Sequence, residues 1–88
     1  MEVPQELHNR YLERRKKDLE NCINSLKDEN FNEIERVGHQ LKGNAITFGH
    51  DELTEIGSKM ERAAATANAN ELEEAIQNFS TWLKNHLN

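Results

Sequence analysis

A single histidine, His39, stands three residues before a lysine, Lys42, and four before a glycine, Gly43, in the run Val37-Gly-His-Gln-Leu-Lys-Gly-Asn-Ala-Ile-Thr-Phe-Gly49. A neutral imidazole nitrogen is a nucleophile near pH 7 and can carry a covalent intermediate. An ammonium group at i+3 lies on the same side of a helix and offsets negative charge. Transfer of a phosphoryl group needs mainly positioning and charge stabilisation. The pair is therefore enough for one step of such chemistry if a partner brings the other reactant.

That chemistry requires an exposed face. With Ile34 at zero on a helical wheel, His39 falls at about 140°, Lys42 at about 80°, Ile46 at about 120° and Gly43 at about 180°. The core stripe of the same helix is Ile34, Gly38, Leu41, Ala45 and Phe48. His39 thus projects to solvent, with Lys42, Gly43 and Ile46 beside it. A solvent-facing Gly within a helix costs about 1 kcal/mol relative to Ala, and an exposed Ile gains nothing from a core. Together they describe a bare landing surface around one imidazole.

The rest of the chain supplies helices to position that face. With 88 residues, one proline (Pro4, near the start) and no β-alternating run, it is read as one all-α domain. A first helix over about Gln5 to Leu26 carries Leu12, Leu19, Ile23 and Leu26 on one stripe. Leu7 and Tyr11 fall off it, as a short separate N-terminal turn or a segment packed over one end. After a turn at residues 27–30, the second helix runs from about Phe31 to Phe48, and Gly49 stops it. Asp51 is placed to cap a third helix bearing Leu53, Ile56, Gly57, Met60, Ala63 and Ala64. Asn68 to Asn70 form a loop with a cap at its end. The last helix carries Leu72, Ile76, Phe79 and Leu83, with Trp82 at the edge. Short connections favour an antiparallel up-and-down four-helix bundle over about residues 11–87, possible extra N-terminal helix aside.

Composition narrows the function. A net charge of -5 argues against nucleic acid as the main partner. Arg14, Arg15, Lys16 and Lys17 are read as an ordinary solvated face. Cys22 is the only cysteine, so it makes no internal disulfide and supports no thiolate metal site. No apolar run suggests a signal peptide or a membrane span, and the expected compartment is the cytoplasm. His50 is expected at a loop or cap, and His8 and His86 at exposed ends. No phosphate-binding glycine-rich loop and no paired Glu-x-x-His motif occurs, so the chain is not expected to bind ATP or phosphorylate itself.

The stretch His39-Gln40-Leu41-Lys42-Gly43, followed by Ala45, Phe48 and Gly49, resembles the signature of histidine-containing phosphotransfer (HPt) domains. Leu53 and the pair Met60-Glu61 resemble the family's next helix, and the likeness extends from about Tyr11 to Leu83. The resemblance implies that His39 is the phosphoacceptor of a two-component phosphorelay and that Lys42 stabilises the phosphorylated form. It implies docking of receiver domains over Gly43, with Gln40, Ile46 and Glu35 as further docking residues. The implied partners are response-regulator receivers and a sensor histidine kinase, with Mg²⁺ supplied by the receiver, no cofactor of the chain's own, and a monomeric state. Asn44 departs from the family's usual Ser or Thr and puts a contact behind His39 in doubt. A four-helix adaptor without the chemistry is the competing reading; the nucleophile beside a lysine favours the relay.

Overall fold

In the computed structural model, residues 4–87 are described, and they form four helices: α1 (Gln5–Lys27), α2 (Phe31–Thr47), α3 (Asp51–Ala65) and α4 (Ala69–His86). Each packs along its neighbours in a closed ring, α1 on α2, α2 on α3, α3 on α4 and α4 on α1. The long axis is 37 Å, about the length of α1 itself at 1.5 Å per residue.

The first three helices end in the same way. The residue after the C-cap adopts a left-handed conformation, at Glu29 (φ 56°), Gly49 (φ 76°) and Ala67 (φ 51°). The next amide then reaches back to the last turn, Asn30 N–H to Ser25 O, His50 N–H to Ala45 O and Asn68 N–H to Ala63 O, at 2.8–2.9 Å. This is the paired back-bonding that satisfies orphan carbonyls at helix ends. The residue that closes each turn is also the N-cap of the following helix. Asn30 and Asn68 accept the amides of Glu33 and Glu71, and His50 holds the same place before α3 without a side-chain cap. Asp51 is therefore not the cap; it lies in the first turn, where its charge favours the positive end of the helix. Likewise Asn68 alone caps α4, and Ala69 and Asn70 are already helical.

The core lies between the four stripes. Ile34, Leu41, Leu53, Met60, Leu72 and Phe79 are fully buried. Trp82, placed at an edge by periodicity, is buried as well. On α1 the buried row is Tyr11, Leu12, Arg15, Cys22 and Ser25, with Leu19 and Leu26 at its margin. Ile23 is 40% exposed, because α1 must face α2 and α4 at once and its buried row is rotated toward the seam between them. α1 runs unbroken from Gln5, with Leu7 exposed and Tyr11 buried, so no separate N-terminal turn precedes Tyr11 among the described residues.

Arg15 also departs from the solvated-face expectation. Its guanidinium lies 4.6 Å from the Tyr11 ring centre, and its Nε is 2.8 Å from an Asp18 oxygen, though the N–H is not aimed along that contact. Burial raises the Asp18 carboxyl above its ordinary value despite that cation. Burial also pushes the Cys22 thiol up to about 12, which makes it a core side chain and not a nucleophile.

Candidate functional site

The site begins with two glycines. Gly38 and Gly57 are buried where α2 crosses α3, and a Cβ added at either would lie within 2.7–2.8 Å of the other's carbonyl oxygen. Only residues without side chains let the helices approach so closely. One turn beyond Gly57 on α3, Glu61 is thereby brought against the exposed face of α2.

Glu61 joins the two residues singled out by sequence. Lys42 Nζ donates to Glu61 Oε1 at 2.9 Å, and His39 Nδ1 lies 2.8 Å from Glu61 Oε2. The carboxylate can only accept, so Nδ1 carries the proton in this contact. The neutral ring then presents Nε2 as its unprotonated nitrogen, and among the described residues Nε2 has no hydrogen-bond partner. The hydrogen bond from Lys42, and then that from His39, hold the Glu61 carboxyl below its ordinary range. It is ionised at neutral pH, the state required to hold Nδ1–H.

The surroundings of the ring are open. His39 has 70% of its side chain exposed. A Cβ at Gly43 would meet nothing within 4 Å. Ile46, one turn further, is 66% exposed, and Gln40, next to His39 in the chain, is exposed. Glu35, four residues before His39, is partly buried and its side chain makes no hydrogen bond or ion pair among the described residues. Asn44 points the other way: its Oδ1 accepts the Tyr11 hydroxyl at 2.7 Å, and it ties α2 to α1.

Two features were not assigned from sequence. In sequence Glu61 is only one half of a family-like pair; the signal that could have found it is its i+4 spacing from a glycine in a core stripe. The other is at the end of the bundle, where His8 and His50 meet Nε2 to Nε2 at 3.0 Å. The His86 ring stands 5.4 Å from that of His50 and stacks on Trp82. These three were expected apart at a cap and two exposed ends. Tertiary packing gathers them instead.

No helix among the described residues is long and apolar enough to cross a membrane. Searches of curated proteins and of solved structures returned no significant match. The family model of the Hpt domain matches residues 6–87, nearly the whole chain. With the helical bundle and the His39–Glu61–Lys42 cluster in place, the chain belongs to the Hpt domain family, whose members carry out histidine phosphotransfer in phosphorelays.

Proposed function

We propose that His39 accepts a phosphoryl group from an aspartyl phosphate of a receiver domain and returns it to another receiver aspartate. The observation that carries this reading is the division of labour on the imidazole, with Nδ1–H held by Glu61 and Nε2 free on an exposed ring. The Nε2 lone pair attacks phosphorus, an N–P bond forms, and the P–O bond to the aspartate breaks, releasing a carboxylate. The ring gains a positive charge that the Glu61 carboxylate stabilises through Nδ1–H. The reverse step follows the same path, so no proton need leave or enter the ring. Lys42, held 2.9 Å from Glu61, places an ammonium where the phosphoryl oxygens gather charge.

The chain supplies the nucleophile and its electrostatic support. The Mg²⁺ that assists such transfers belongs to the receiver, where carboxylates and the aspartyl phosphate meet. Docking uses the bare surface formed by Gln40, Gly43 and Ile46, with Glu35 at its margin; the open space over Gly43 lets a partner's backbone reach the ring. The helices alternate up and down, an arrangement supported by the three short turns and the closed ring of neighbours. The chain acts as a monomer with a receiver or a histidine kinase at this face.

Replacing His39 with Gln tests the reading directly. Incubation with a phosphorylated receiver should label the original protein with acid-labile, alkali-stable phosphate, and His39→Gln should take up none. Its melting should stay within about 0.5 kcal/mol of the original, as for other exposed substitutions. Label persisting in His39→Gln would place the phosphoacceptor elsewhere.

A further inference from the structure

The end of the bundle formed by the start of α1, the turn between α2 and α3 and the end of α4 carries the histidine cluster. Within residues 4–10, His8 is the one side chain that is not exposed. Among the described residues, the one side-chain hydrogen-bond partner of the His8 ring is the His50 ring, at 3.0 Å. His50 is free to make that contact because its side chain does not cap α3. Leu7, Arg10 and the other early residues of α1 face solvent, so the stretch of α1 ahead of the buried Tyr11 depends on this one contact.

An imidazole pair at this distance needs an unprotonated nitrogen on one side. With neither ring charged, or with one, an N–H donates to the other ring's lone pair; with both charged, two donors face each other. We infer that the His8–His50 contact is a proton-operated latch that holds the stretch of α1 before Tyr11 on the bundle and releases it when both imidazoles are charged.

The surroundings set its direction. The groups that face His50 are His8 and Tyr11 from α1 and Trp82 and His86 from α4, with Phe48 at the end of α2 stacked on Tyr11. The charges acting on it are those of His8 and His86, and no carboxylate is among them. Glu6 is paired with Arg10, and Asp51, Glu52 and Lys84 are exposed. His50 also sits at the positive end of α3, which disfavours a cation. Burial first, then His8 and His86, lower its affinity for a proton. The His86 ring is held to its own helix, its Nδ1–H donating to Trp82 O at 2.8 Å. Because the folded state binds the His50 proton less readily than the unfolded chain, the latch is complete above about pH 6.5 and weakens as pH falls below it.

Hydrogen exchange read by NMR tests this on the intact chain, as protection factors of the His8 to Leu12 amides at pH 7.5 and pH 5. In the original protein, protection of these amides should drop about tenfold at pH 5, with Leu41 and Phe79 unchanged. His8→Ala should show the lower protection at both pH values. His8→Gln, whose amide can accept from a charged His50, should keep the higher protection at both. Protection independent of pH in the original protein, equal protection in His8→Ala at pH 7.5, or loss shared by Leu41 and Phe79 would each overturn the latch.

Discussion

Gly38 on α2 and Gly57 on α3 meet backbone to backbone, each occupying the space in which the other's Cβ would stand. That contact fixes how far Glu61 must reach to hold His39 and Lys42, and so links the packing of the core to the chemistry on the surface.

A methyl group at Gly38 would lie 2.8 Å from both the Glu61 amide nitrogen and the Gly57 carbonyl oxygen, and neither backbone atom can yield locally. Gly38→Ala should therefore destabilise the bundle by about 1–3 kcal/mol, the usual range for overpacking. It should also slow receiver-dependent transfer by more than the folded fraction explains, because Glu61 moves away from His39. Urea unfolding paired with transfer rates at full folding checks both. Unchanged stability would mean that α2 and α3 part without cost.

Gly43 is the contrasting case. Nothing lies within 4 Å of an added Cβ, and a helix former there gains up to about 1 kcal/mol. Gly43→Gln should melt no lower than the original protein and lose most transfer from a phosphorylated receiver. A stable variant that transfers at the original rate would show that the space beside His39 is not used in docking.

Glu61 offers a test with a pH signature. Its lowered carboxyl means that the stabilisation from Lys42 and His39 is present above the ordinary glutamate range and is lost as pH falls through the lowered value. The melting difference between the original protein and Glu61→Gln should thus persist at neutral pH and close in acid. At neutral pH, Glu61→Ala should slow transfer by about tenfold or more, a loss typical of removing the group that orients a histidine. Lys42→Ala should have a smaller effect that grows at low salt, since exposed charges are screened. Equal rates in Glu61→Ala would remove the carboxylate from the mechanism.

The two turns without glycine are predicted to be sub-optimal. Glu29 and Ala67 hold positive φ angles of 56° and 51°, a region that costs residues with a Cβ about 1–2 kcal/mol. Both are exposed. Glu29→Gly and Ala67→Gly should each stabilise the fold, by about 1 kcal/mol less what the freer unfolded chain takes back. Thermal melting of the single and double variants measures this, and a drop in both would show that these turns are not strained.

Much of the fold was legible because amphipathic periodicity is local. The apolar spacing of Ile34, Leu41 and Ala45, and of Leu72, Ile76, Phe79 and Leu83, determined which faces are buried. It also placed His39, Lys42, Gly43 and Ile46 on the open side of one helix, and Gly49 marked that helix's end because only its φ was signalled by residue type. The turns at Glu29 and Ala67 gave no such signal, since their left-handed geometry is imposed by back-bonding from the next helix cap. The rotation of α1, which exposes Ile23 and buries Arg15, depends on two neighbouring helices at once, and no single-helix pattern contains that information. The same holds for the partners of His39 and His8. Glu61 lies 22 residues from His39, and His50 lies 42 from His8. Side-chain contacts at such separations are set by how closely helices approach and in what register. The exposed histidine beside a lysine was therefore legible in the sequence, while the carboxylate that meets its Nδ1, and the histidines gathered at the bundle's end, were decided only by packing.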